Sequence, residues 1–117
     1  MTAEELCKVI VKGMEDKKAS DIVMMDLRDI FSTMTDFFVI CSATSDTQVE
    51  GISSAIEEEV YKTNKEKPWM SEGKGTSQWV LLDYVNVVVH VFLKDKREFY
   101  QLEELWGDAK ITKINPQ

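Results

Sequence analysis

Few residues in this chain have the chemistry for an active site, and their spacing limits what they could do. The single histidine, His90, lies in "WVLLDYVNVVVHVF", Trp79 to Phe92, seven residues after Asp83. An imidazole oriented by a carboxylate is a general base, but it needs a nucleophile or a substrate pocket beside it. No GxSxG pattern supplies a serine, and the sequence presents neither Cys7 nor Cys41 to His90. Phosphate chemistry finds no GxxxxGK[ST] loop and no GxGxxG after a strand. "EGKGTS", Glu72 to Ser77, has two glycines and a lysine but reads as a mobile connector. No D-x-D pair is present to hold magnesium for nucleotidyl transfer; Asp26 and Asp29, three apart around a strand end, come nearest to a metal pair. The two cysteines lack zinc-site spacing and read as buried, reduced thiols. The expectation is no catalytic residue, no metal and no cofactor.

The elements that would position these groups are read from hydrophobic period. Thr2 to about Lys18 is a helix: Thr2 and Glu5 have capping-box spacing, and Leu6, Val9, Ile10 and Met14 form one stripe. "DIVMMDL", Asp21 to Leu27, and "DFFVICSA", Asp36 to Ala43, are strands. The second is continuously apolar from Phe37 to Cys41 and should be central, covered on both faces. Ser45 and Gln48 cap a second helix with Val49, Ile52, Ile56 and Val60 inward and Glu57, Glu58 and Glu59 on a solvated face, ending near Asn64. "WMSEGKG" gives a short edge strand leading into a flexible loop. Trp79 to Tyr84 and Asn86 to Phe92 are strands. Asp95 opens a last helix carrying Phe99, Leu102, Leu105 and a packed Trp106 before Gly107, and the tail "ITKINPQ" reads as loose. This order predicts an α/β fold: a single layered domain over residues 1–117, a mixed β-sheet with flanking helices.

If Val85 and Asn86 make a two-residue turn, Asn86 tolerates the positive φ it needs and Val85 does not. Tyr84 then faces Val87, Leu82 faces Val89 and Val80 faces Val91, six residues on one core face. The other face pairs Trp79 with Phe92, Leu81 with His90 and Asp83 with Val88, with His90 diagonal to Asp83. Three readings of that second face are open. A helix covers it and His90 is a satisfied core histidine; or part of it is exposed and docks a partner through its aromatics; or Asp83 and His90 form a catalytic pair.

Charge narrows the partners. Asp plus Glu is 21 against 14 Lys plus Arg, a net charge of −7. That sign repels phosphate backbones and favours a basic protein over direct nucleic-acid binding. The N-terminus is mixed in charge and unlike a signal peptide, and no apolar run approaches the ~18 residues of a membrane span. The expectation is a cytoplasmic protein without membrane association, and a binder rather than an enzyme.

An ordered series of segments carries one further implication. "DIVMMDL", "TDFFVICSATSDTQVEGI", the "EG" of Glu72 and Gly73, "WVLLDYVNVVVHVF" and "REFYQLEELWGDA", Arg97 to Ala109, together resemble the ribosomal silencing factor family, also called Iojap-like proteins. The resemblance spans almost the whole chain. It implies a nucleotidyltransferase-like fold without the catalytic motif. It also implies binding to the large ribosomal subunit through its ribosomal protein number fourteen, blocking of the small subunit, and translational repression when nutrients are short. Organellar relatives assist ribosome assembly, and a homodimer of the free protein is implied too. Trp79, Asp83, Tyr84, His90, Phe92, Arg97 and Tyr100 match the family pattern; Val85-Asn86 departs from its usual Gly- or polar-containing turn. The expected partner-binding residues are Trp79, Leu81, Asp83, Tyr84, His90 and Phe92. The rival functions are a nucleotidyltransferase-like enzyme and a generic acidic adaptor for another basic protein.

Overall fold

The computed structural model describes residues 1–29, 35–95 and 110–114. The elements are α1 (Ala3–Asp16), β1 (Ser20–Asp26), β2 (Phe37–Ala43), α2 (Asp46–Asn64), β3 (Met70–Glu72), β4 (Trp79–Asp83), β5 (Val87–Leu93) and β6 (Lys110–Lys113). Six strands make one sheet in the order β3-β4-β5-β2-β1-β6. The β2–β5 pair is parallel and every other pair antiparallel, so the sheet is mixed as expected.

Of the three predicted helix starts, those at Thr2 and Ser45 are present, and the helix expected from Asp95 runs into residues outside those described. The Thr2 hydroxyl accepts the Glu5 N–H at 3.1 Å, and Ser45 Oγ accepts the Gln48 N–H at 3.1 Å. Gln48 does more than cap. Its Oε1 accepts the Thr44 N–H at 2.7 Å, and its Nε2 donates to the carbonyls of Lys17 and Lys18, tying the start of α2 to the end of α1. Further along, the two helices touch backbone to backbone: a Cβ on Gly13 would lie 3.0 Å from Ile56 Cα. The helices share one face of the sheet. Leu6, Ile10 and Met14 of α1 and Val49, Ile52, Ile56 and Val60 of α2 pack on Val39, Cys41, Val80, Leu82, Val89 and Val91.

Three expectations need correction. The Glu57–Glu59 run is not simply a solvated face: Glu57 pairs with Lys74 at 2.9 Å and Glu59 with Lys12 at 3.6 Å, leaving Glu58 exposed. The loop after β3 is likewise tied to α2, by Lys74 to Glu57 and by the Ser77 hydroxyl to Glu50 at 2.8 Å. The described part of the tail is not loose, because Lys110–Lys113 pairs with β1 from Asp26↔Lys110 to Val23↔Lys113, and residues 115–117 lie outside the described residues. All four β6 residues are exposed. Backbone hydrogen bonds to an open strand edge hold it, and these leave no hydrophobic pattern to read. The predicted helix residues Phe99, Leu102, Leu105 and Trp106, and Arg97 and Tyr100, lie outside the described residues.

The hairpin has the expected register, Trp79↔Phe92, Val80↔Val91, Leu81↔His90, Leu82↔Val89 and Asp83↔Val88. Its turn is another matter. Val85, not Asn86, takes the positive φ, 74°. The Asn86 N–H donates to the Tyr84 carbonyl at 2.9 Å, a γ-turn centred on Val85, and positive φ at that centre is the rare, strained form. Two contacts impose it. Asp83 Oδ1 accepts the Val85 N–H at 2.7 Å, and the Asn86 carbonyl accepts from both Asp36 and Phe37 at the entry to β2.

Glycine at Val85 removes the β-branch clash, so Val85→Gly should raise stability by about 1 kcal/mol, visible as a higher Tm in thermal unfolding. The opposite holds at Gly73, where φ is 86° and a Cβ would meet the Trp79 carbonyl oxygen at 1.9 Å. Gly73→Ala should cost about 2–4 kcal/mol in urea unfolding, because the loop's entry to β4 must shift.

Candidate functional site

The site expected from sequence is the hairpin face turned away from the helices. Alternation along β4 and β5 brings Trp79, Leu81, Asp83, Val88, His90 and Phe92 to that face. Neighbouring strands extend it: His90 lies beside Ile40 of β2, and Ile40 beside Val23 of β1. Val23, Met25, Leu27, Ile40 and Phe92 form a second apolar cluster, with Phe38 and Trp79 packed against it. The sheet therefore has an apolar layer on each face, and its centre is enclosed.

His90 sits in that layer and is 4% exposed. Its ring is edge-on to Phe38 at 4.8 Å and stacked with Phe92 at 6.0 Å, while Trp79 stacks on Phe92 at 5.1 Å. The Trp79 indole Nε1–H donates to His90 Nδ1 at 3.0 Å. An accepting Nδ1 places the neutral ring's proton on Nε2. That N–H is buried and has no hydrogen-bond partner among the described residues. Burial pushes the imidazole down to about 4 from its ordinary value of 6.5. Protonation would also have to break the indole bond, since the neutral ring's one basic lone pair is on Nδ1.

The Asp83–His90 pair does not form. Asp83 Oδ1 holds the Val85 N–H at the turn, and His90 is bonded to Trp79 instead. The other chemistry-bearing groups are also engaged elsewhere. Asp26 is held by Arg28 through Nε at 3.0 Å and Nη2 at 2.8 Å, which lowers its carboxyl. Asp29 lies 3.7 Å from Lys110. Among the described residues, no three His, Cys, Asp or Glu side chains gather as a metal site. Cys7 and Cys41 are both buried, and burial raises Cys7 to about 12. Among the described residues, no helix is long and apolar enough to cross a membrane.

The six expected binding residues divide by exposure. Trp79, Leu81 and Asp83 are half-buried; Tyr84, His90 and Phe92 are buried, at 5%, 4% and 1% exposure. Tyr84 belongs to the helix-side core, where burial raises its phenol. Those three do not reach the surface. Sequence reasoning passed over what does: Trp69, Met70 and Val85 are exposed large apolar side chains at the β3 edge and hairpin tip. A tryptophan in the polar run before β3 was the available signal.

The chain folds as a small α/β domain, with two described helices on one face of a mixed sheet. Its sequence matches the family model described as ribosomal silencing factor during starvation over residues 1–117, and it belongs to the ribosomal silencing factor family. It is 38% identical over 115 residues to the ribosomal silencing factor RsfS of Bacillus subtilis, covering 98% of this chain and 96% of that protein. A mouse protein named mitochondrial assembly of ribosomal large subunit protein 1 is 31% identical over 101 residues, covering 84% of this chain and 43% of the mouse protein. A crystal structure of a Chromobacterium violaceum protein superposes with a TM-score of 0.86 at 29% identity, covering 92% of this chain and 88% of that one.

The His90 geometry has a consequence for stability. The unfolded chain takes up a proton near pH 6.5, while the folded imidazole resists it until about 4. Stability is therefore complete above pH 6.5, falls as pH drops toward 4, and levels off below. Between pH 7.5 and pH 5 this loss should be about 2 kcal/mol, at about 1.4 kcal/mol per pH unit. His90→Gln keeps an acceptor for the indole and should remove most of that slope in urea unfolding at the two pH values.

Proposed function

We propose that this protein is a cytoplasmic translational repressor that binds the large ribosomal subunit and obstructs joining of the small subunit when nutrients are limiting. Family membership carries the reading. The mouse relative, whose name places it in large-subunit assembly, supports the choice of subunit. The direct partner is the subunit's basic protein number fourteen. A net charge of −7 favours a basic protein and opposes the RNA around it. Obstruction is steric: a domain about 36 × 34 × 28 Å occupies space at the subunit interface. Free protein can pair with itself, and a shared surface would make the two associations compete.

Within the site, Trp79, Leu81 and Asp83 make the contact. His90 and Phe92 act from behind it, while Tyr84, expected at the contact, lies in the helix-side core. The Phe92 ring and the His90 acceptor hold the Trp79 indole in place, so the contact surface is preorganised.

The test is a subunit-joining assay on a sucrose gradient with purified small and large subunits. Wild-type protein should lower the joined-particle peak and co-sediment with the large subunit alone. Leu81→Ser combined with Asp83→Asn keeps the side-chain oxygen that holds the turn and removes the apolar and charged contacts. That variant should stay folded and bind about tenfold or more weakly. Unchanged joining with wild-type protein would refute the repressor reading; unchanged binding by the folded variant would refute the site.

A further inference from the structure

We infer that the open β3 edge and the hairpin tip form the anchoring part of the docking surface, and that they take an extended segment of the basic ribosomal protein. The inference rests on the repressor reading above and locates its grip on residues that reading did not include.

Trp69 is 74% exposed, Val85 57% and Met70 38%; they are half of the six exposed large apolar side chains among the described residues. They come together around one residue. The Asp83 carbonyl accepts the Trp69 N–H at 2.7 Å, Met70 lies opposite Asp83 in the β3–β4 ladder, and Asp83 Oδ1 accepts the Val85 N–H at 2.7 Å. Asp83 thus brings three exposed apolar residues from two separate segments to one corner of the sheet. Exposed apolar clusters mark interaction surfaces, and tryptophan is the side chain most enriched at their energetic centres.

Val85 gives an independent pointer. It holds a strained positive φ while exposing most of its side chain, so neither backbone nor core gains from valine there. Strained backbone positions cluster at functional sites.

The edge itself supplies the second half of the argument. β3 is the terminal strand, pairs only with β4 among the described strands, and is exposed at all three residues. Such an edge carries outward backbone groups that an extended chain can complete. Charge selects which chain. Glu72 within β3 and Asp83 beside it place carboxyl-bearing residues at that edge. The nearby Lys65 and Lys67 ammonium groups lie over the Tyr61 ring of α2, at 5.2 and 5.7 Å. A basic segment with an apolar side chain fits that pattern.

The experiment compares full-length wild type, Trp69→Ser and Val85→Gly for binding to isolated large subunits. Hydrogen exchange is followed in free and bound wild type. Trp69→Ser should bind about tenfold or more weakly with an unchanged Tm. Val85→Gly should bind more weakly although its Tm is higher, a combination that damage to the fold cannot produce. Amides of residues 69–73 should gain protection on binding. Binding by both variants as tight as wild type, or no added protection at residues 69–73, overturns the inference and leaves the repressor reading standing. So does a loss confined to self-association, which would assign the edge to a second copy. Failure of wild-type protein to bind large subunits overturns both.

Discussion

The parallel pairing of β2 with β5, in unbroken register from Phe37↔Val87 to Ala43↔Leu93, is the constraint on which the rest of the molecule depends. Two parallel strands cannot be joined by a tight turn, so the chain must leave and return. Here it leaves through α2, adds β3 and β4 outside, and comes back as β5 by a hairpin. That path places the tip of the hairpin at the entry to β2, where the Asn86 carbonyl accepts the N–H groups of Asp36 and Phe37. It also encloses β5, whose residues from Val87 to Phe92 are all buried. Each face of the sheet then needs its own apolar layer, and each has one.

Enclosure has a cost at the one ionisable side chain of β5, His90. A histidine in the second layer must stay neutral and can satisfy only part of its hydrogen bonding there. The indole of Trp79 takes Nδ1, and Nε2–H remains unpaired among the described residues, a defect of about 1–3 kcal/mol. What the arrangement secures is the orientation of Trp79, clamped between a ring stack and a hydrogen bond. The polar group acts on its neighbour's geometry rather than on a substrate.

From the enclosed centre outward, the sheet becomes progressively more available. β5 is sealed, β4 alternates between buried and half-buried, and β3 is wholly exposed. A sealed middle with an open margin is compatible with the docking edge proposed above, because binding to a preformed edge loses little conformational entropy. Asp83 links the zones. It stands in β4, its side chain shapes the turn, and its carbonyl receives the Trp69 N–H.

The sequence by itself determined the local structure. Capping pairs placed the starts of α1 and α2, the continuous apolar run from Phe37 to Cys41 marked the central strand, alternation gave the two faces of the hairpin, and a two-residue turn at Val85 and Asn86 gave its register from Trp79 to Phe92. These are legible because helix and strand periods are set by neighbours within a few residues. Only the tertiary structure decided what depends on distant partners. β6 exists because β1 had a free edge. Val85 is left-handed because Asp83 and the start of β2 fix the groups on either side. His90 accepts from Trp79 instead of meeting Asp83 because strand pairing brings the indole to it. The placement of the exposed Trp69, Met70 and Val85 around Asp83 is likewise a product of pairing, since nothing in either segment alone brings them to one residue.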